Sequence, residues 1–245
     1  CNANGIVPHR TSTGAATTCA KIWTGFHQYV INNPGSDIIV NLLANGYDIN
    51  QQTVTLKAAD LGYGKAKRKY DAVTLSVDRA YDGLFSVGGS YTWSKARGNS
   101  EGFVQSDFGQ TDAGITQDFD QPGFVDYSYG DLPNDRRHKI KFYGSITPLE
   151  GLTFGTNLQV YSPGPLSCFG YNPTDAFANG YDQASHYCNL QPSPRGTAQK
   201  SDWFTQWDIS ARYTKDVLGL AVTFRADVFN VLNSHAVIQK YAQHE

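Results

Sequence analysis

GNSEG, Gly98 to Gly102, has the G-x-S-x-G spacing that sets a serine nucleophile on a strand-to-helix elbow. The residues before it read as a strand, but no apolar helical stretch follows, so Ser100 reads as a loop serine. No H-E-x-x-H, phosphate-binding or dinucleotide fingerprint occurs, and His9, His27, His138, His186, His235 and His244 are scattered. The sequence therefore points away from an enzyme: no catalytic residue, cofactor or metal site is assigned. The segment 98–134 gathers Asp107, Asp112, Asp118, Asp120 and Asp126, followed by Asp131, among glycine, glutamine and aromatic residues. Such carboxylates offer oxygen ligands to calcium or acceptors to a polar ligand, and a solvated acidic loop has the same composition. A basic run, Lys65, Lys67, Arg68 and Lys69, together with Arg136 and Arg137, suits phosphate groups. A soluble surface patch would read the same.

The four cysteines fall as Cys1 and Cys19, then Cys168 and Cys188, each pair enclosing a polar loop rich in Gly, Pro and Asn. Two local disulfides are expected, in an oxidising compartment. A zinc site is the rival, although the spacing is not C-x-x-C and no histidine pair flanks it. No signal peptide is visible; Cys1 reads either as a loop cysteine or as a lipidated N-terminus.

What positions these residues is a set of strands. In WDISARYTKDVLGLAVTFRADVFNVLN, Trp207 to Asn233, Trp207, Ile209, Ala211 and Tyr213 alternate with Asp208, Ser210 and Arg212. Further on, Leu220, Val222, Phe224, Ala226 and Val228 alternate with Thr223, Arg225 and Asp227. A period of two means strand. The same alternation sets Val73, Leu75 and Val77 against Thr74, Ser76 and Asp78 in Lys69 to Tyr81. Leu84 to Arg97 follows the turn Asp82-Gly83, with Phe85, Val87, Tyr91 and Trp93 on its apolar side. Asp135 to Thr147 sets Ile140, Phe142 and Ile146 against Lys139, Lys141 and Ser145. It turns at 148–151 into Leu152 to Tyr161. Weaker signals at Asp37 to Leu43 and Thr53 to Ala58 fit either a loop hairpin or preceding wall strands.

Connections 82–83, 148–151 and 215–219 are short, whereas 98–134 and 163–201 are long, and the two kinds fall at opposite ends of the strands. Outer-membrane barrels have that asymmetry. The polar face carries Asp78, Lys139, Lys141, Asp208, Arg212, Arg225 and Asp227, as a wet lumen would. Tyr91, Trp93 and Trp203 sit on the apolar face near the long loops, and Tyr81 and Tyr213 near the short turns. These are the places of two aromatic girdles about 25 Å apart. The expected class is all-β: an antiparallel transmembrane β-barrel segment with short periplasmic turns and long extracellular loops. A formal charge of −2 gives no reason to expect a nucleic-acid partner. The mean hydropathy of −0.42 excludes only a helical span, since a barrel wall is apolar at alternate positions.

The runs GDLPNDRRHKIKFYGS (Gly130 to Ser145), TQDFDQPG (Thr116 to Gly123), PLSCFG, RGTAQKSDWFTQWDIS and FRADVFNVLNSHAV (Phe224 to Val237) carry a resemblance. From about Tyr63 onward the chain resembles the C-terminal part of TonB-dependent outer-membrane receptors, most closely the Oar-like subfamily, whose members usually carry an N-terminal carboxypeptidase-regulatory-like domain. The resemblance implies a 22-stranded barrel with an N-terminal plug and a TonB box, importing scarce ligands with inner-membrane energy. No plug, TonB box or closing strand ending in an aromatic residue is read here, so residues 1–245 are expected to be part of a longer barrel. Three functions follow as expectations: a nutrient receptor, an Oar-like barrel for adhesion or protein passage, and a soluble β-sandwich binding module. Partners implied are outer-membrane lipid, lipopolysaccharide, an extracellular ligand of unknown identity, and TonB through an N-terminal region. The localisation implied is the outer membrane of a Gram-negative bacterium.

Overall fold

The computed structural model describes residues 6–10, 16–18, 35–41, 53–110, 113–114 and 116–240. The chain divides into two compact units, 1–66 and 67–245. In the first, β1 (Ile6–Arg10) pairs antiparallel with β2 (Ala16–Thr18), and β3 (Ile38–Asn41) with β4 (Thr53–Leu56). β3 and β4 hydrogen-bond to each other as a hairpin, in a two-stranded sheet. Asp37 Oδ1 accepts the Ala58 amide at 3.0 Å and holds the turn that follows β4.

The second unit is built on one antiparallel sheet. Its long strands are β5 (Arg68–Arg79), β6 (Phe85–Gly98), β8 (His138–Leu149), β9 (Leu152–Tyr161), β14 (Phe204–Val217) and β15 (Leu220–Val228), with short β7 (Gly130–Asp131) on the end of β6. The order is β15-β14-β9-β8-β6-β5, so consecutive long strands are neighbours in space, even β6 with β8 and β9 with β14 across the two long loops. The sheet is open, with β5 and β15 at its edges among the described residues. No described helix is long and apolar enough to cross a membrane.

The register puts residues of one kind on one face. Val77, Gly89, Phe142, Leu158 and Trp207 lie in one cross-strand row, and Phe85, Ile146, Phe154, Ala211 and Ala226 in another. That face is uncovered: Val77 is 75 % and Phe224 66 % exposed. Tyr91, Trp93, Tyr81, Trp203 and Tyr213 are also exposed.

The turns differ from expectation in informative ways. β5 stops at Arg79, not Tyr81, because Asp82 Oδ1 caps the connection by accepting the Leu84 and Phe85 amides at 3.0 and 3.1 Å. An aspartate that bonds backbone two and three residues on competes with ladder pairing. Conversely β14 runs on to Val217, leaving Leu218 and Gly219 as a two-residue turn with φ of 57° and 81°. Positive φ at both central residues matches the right-handed strand twist, with Gly219 adopting it at no steric cost. β8 begins at His138, not Asp135, because the Asp135 carboxylate accepts the Ala96 amide at 2.7 Å and turns inward. The core lies not under the sheet but at its long-loop end.

Candidate functional site

Loops 98–134 and 163–201 fold together into a compact cap. The first contributes single 3₁₀ turns at Ser106–Phe108 and Pro122–Phe124, the second a turn at Ala178–Tyr181. The second loop also carries four short strands, β10 (Pro165–Leu166), β11 (Tyr187–Cys188), β12 (Gln191–Pro192) and β13 (Gln199–Lys200), paired β10 with β13 and β11 with β12. Phe124, Ala178 and Ala184 are buried against Phe108 and Tyr181. The loops meet closely at Gly123, where a Cβ would lie 2.6 Å from Asn172 Nδ2 and 2.7 Å from Asp175 Oδ2, and at Gly130, where it would lie 2.1 Å from the Arg195 carbonyl oxygen. The Gly123 amide donates to that Asp175 oxygen at 2.9 Å. Cys168 and Cys188 form the expected disulfide inside the second loop. Cys1 and Cys19 lie outside the described residues.

At the centre of the cap is an arginine. Arg195 is 1 % exposed, with Nη2 3.4 Å from Asp118 Oδ1 and Nη1 3.8 Å from Asp107 Oδ2. Ser167 Oγ also donates to Asp107, at 3.2 Å. Glu101 is buried nearby and accepts from the Ser106 amide and hydroxyl. Burial pushes the Asp107 carboxyl up to about 6, against the pull of Arg195, and raises Asp118 for the same reason. Burial and the Arg195 charge hold the His186 imidazole well below its ordinary value. The guanidinium is under-satisfied: Arg195 Nε and Nη1, Asp118 Oδ2 and His186 Nδ1 are buried without hydrogen-bond partners.

Of the acidic residues read as candidate ligand groups, Asp107 and Asp118 therefore point inward and bracket one guanidinium. Asp120 is held by the Tyr181 hydroxyl, and its carboxyl is raised mainly by burial. Asp126 accepts from Tyr187 Oη at 3.4 Å, and Asp112 lies outside the described residues. Among the described residues, no group of three or more His, Cys, Asp or Glu side chains is placed to hold a metal ion. Sequence reasoning missed Arg195. The available signal was charge imbalance, because loop 163–201 sets only Arg195 and Lys200 against six aspartates in 98–134.

The basic residues at this end are largely engaged. Arg137 pairs with Asp131 and Asp135, each at 2.7 Å; Arg97 pairs with Asp131 at 2.9 Å; and Lys69 pairs with Asp71 at 3.0 Å. Arg136 donates to Ser201 Oγ at 2.7 Å and the Ser162 carbonyl at 3.2 Å, and Arg68 to the Glu101 carbonyl at 2.8 Å.

Below the cap the sheet's polar face carries Lys139, Lys141, Asp208, Arg212, Arg225 and Asp227 together. Lys139 and Lys141 stand opposite Thr92 and Ser90, Asp208 opposite Asn157, and Arg212 opposite Arg225. Like charges directly opposite repel, and Arg225 leans along its own strand to Asp227 at 2.9 Å. Asp208 accepts the Asn230 amide at 2.9 Å and the Gln206 side chain at 3.0 Å. On this face Tyr143 lies across Gly88 and donates to Asp78.

No family model and no solved structure matches the chain. It is 30% identical over 182 residues, 69% of its length, to the TonB-dependent transporter Oar of Myxococcus xanthus, and spans 16% of that protein. Joined to an all-β antiparallel sheet with exposed apolar strands, the similarity supports a relationship to TonB-dependent receptors and transporters.

Proposed function

We propose that residues 67–245 are part of the wall and extracellular loops of an outer-membrane TonB-dependent receptor, and that the complete barrel binds and passes an extracellular ligand. The observation that carries this is the sheet's two-sidedness. One face is apolar and uncovered across six strands, and the other bears the charges. In water an exposed apolar face of that extent is unfavourable; against hydrocarbon it is at rest. The open edges at β5 and β15 are then where further wall strands pair, because unpaired backbone is not tolerated in lipid. The similarity to the transporter Oar supports the receptor and transporter relationship; an Oar-like role in adhesion or protein passage is the alternative to nutrient import. Lys139, Lys141, Asp208, Arg212, Arg225 and Asp227 then face the lumen. The exposed acids of the cap, Asp120 and Asp126, are then the ligand-facing groups of the loops. Lipopolysaccharide is the partner proposed for the basic residues around the long-loop end.

Topology tests the proposal. On intact cells, a cysteine at Phe177 or Phe103, both exposed in the cap, should react with a membrane-impermeant maleimide. A cysteine at Leu218, in the short turn, should react only after the outer membrane is permeabilised. Equal labelling of both ends on intact cells would overturn it, as would recovery of the protein in a soluble fraction, which is the result a β-sandwich module would give.

A further inference from the structure

After β15 the chain crosses the cap, and its described part ends as a narrow strap. The Val237 amide donates to Asp202 Oδ2 at 2.9 Å, and the Val237 carbonyl accepts the Asp202 amide at 3.0 Å. The Ile238 carbonyl accepts from Arg136 Nη2 at 3.4 Å, Gln239 Nε2 donates to the Ser106 carbonyl at 2.9 Å, and Lys240 Nζ reaches Gln199 Oε1 at 3.5 Å. These are polar anchors. Val237 and Ile238 themselves remain about half exposed, 45 % and 50 %, so little apolar burial glues the strap down.

The strap lies between two cavities. One, of about 520 Å³, is lined by Cys168, Cys188, Ser193, Pro194, Thr197 and Gln199. The other, of about 220 Å³, is lined by Ser106, Asp107, Asn134, Arg136 and Pro165, and also by Ile238 and Gln239. Leu166, Ser167 and Lys240 belong to both walls, so Lys240 stands between the two spaces. Lifting the strap would join them into one trough. Its frame is already fixed, by the β10–β13 pairing, by the disulfide and by Arg136, which also holds Ser162 and Ser201.

We propose that this trough is a binding site for a short peptide segment, and that the chain's own Val237–Lys240 occupies it as a displaceable strap. The anchors define the partner's chemistry. The trough offers a guanidinium to a backbone carbonyl, a backbone carbonyl to a side-chain amide, and a neutral amide oxygen to an ammonium group one residue further on. The four residues of the strap reach at most about 14 Å, so the occupant is a short segment. That this end of the molecule meets a ligand rests on the receptor reading; the trough itself does not.

A tethered occupant competes at an effective concentration on the order of millimolar, so a free peptide below that level is excluded from the wild-type cap. Weakening the strap raises the open fraction, and apparent affinity follows that fraction. The test uses purified protein in detergent and a fluorescent pentapeptide with the sequence of residues 236–240, Ala-Val-Ile-Gln-Lys, read by anisotropy. Gln239→Ala combined with Lys240→Ala removes two anchors of the strap and leaves the lining outside the strap unchanged. We expect this variant to bind the peptide at least about tenfold more tightly than wild type does, and to reject the reversed sequence. Equal affinity of the two proteins, no binding by a variant whose cap still resists protease, or equal binding of the reversed peptide would each overturn the proposal. Should the variant lose its cap, wild-type protein with millimolar peptide decides. Hydrogen exchange at the Val237 amide should rise several-fold as the strap is displaced, and unchanged exchange would overturn the proposal. Lipid is absent from the assay, so its failure would leave the membrane reading standing.

Discussion

The sheet and the cap solve opposite problems with the same chain. In the sheet, apolar side chains such as Val77 and Phe224 are exposed and the backbone is satisfied strand to strand. In the cap, charged side chains such as Arg195, Asp107 and Asp118 are buried and side chains satisfy much of the backbone. On the proposed reading, the sheet is built for a solvent that cannot hydrogen-bond, and the cap for water. Each should fail in its own way.

The largest effect is expected in the cap. Arg195→Met leaves Asp107 and Asp118 buried without their cation, at a cost of roughly 3–5 kcal/mol. Limited proteolysis should then cut within 98–134 and 163–201 while the sheet stays protected; uncut loops would show that the carboxylates are satisfied another way. In the sheet, if the proposed membrane wall holds, Phe224→Arg should cost about 2–4 kcal/mol in the membrane, because it would place a charge on the lipid side. Its neighbour Arg225→Ala should cost under about 1 kcal/mol, since Arg225 is 67 % exposed and its pair with Asp227 is solvent-screened. Denaturant titration of the barrel in lipid would expose a reversed order. Gly88→Ala pushes a methyl to within 2.4 Å of the Tyr143 ring and 2.6 Å of Asp78 Oδ1. The ring must swing away and its bond to Asp78 is lost, at a cost of roughly 1–3 kcal/mol. A double change of Gly88→Ala with Tyr143→Ala should recover most of that loss.

The smallest and most revealing contrast is in pH. Asp82, in an exposed turn, is held down to about 2 by the Phe85 and Leu84 amides and Arg79. Its contribution is present above its ordinary value of 3.8 and is lost as pH falls through about 2. Asp107 has the opposite sign. Its contribution is full below 3.8 and is lost as pH rises through about 6. His186 opposes it, because a buried neutral imidazole costs stability as pH falls below 6.5. Asp118, Glu101 and Arg195 face the same space. In the wild-type cap the terms offset one another. Asp107→Asn leaves His186 less opposed, so acid should open the cap as pH falls below 6.5, whereas His186→Asn should make the cap hold better in acid. Hydrogen exchange of the loop amides against pH checks both, and identical profiles for the two variants would contradict the assignment.

The same division explains what could be read from the sequence. The sheet was legible because a period of two survives without knowledge of any partner: Leu152 to Tyr161 is strand at the limits the alternation gives. Where it failed, a side chain had taken over a backbone group, as Asp82 did at the first turn and Asp135 at the start of β8. The Cys168–Cys188 bridge was legible because both cysteines enclose one loop. The centre of the cap was not, because Arg195 meets Asp107 and Asp118 across 88 and 77 residues and nothing local marks an arginine as buried. An acidic loop read by itself looks solvated; only its packing against a second loop shows which carboxylates are spent.

The central claim is that the apolar face of the sheet lies against lipid, and β15 tests it most directly. A fluorophore or spin label is placed singly at positions 222, 224 and 226, which share the Phe224 face, and at 223, 225 and 227, which share the Arg225 face. The complete protein is reconstituted in bilayers that carry quenchers on the lipid chains. Strong quenching at 222, 224 and 226 with little at 223, 225 and 227 is the expected result. Equal quenching at all six positions, or none at any, would contradict the assignment of this sheet to a membrane wall.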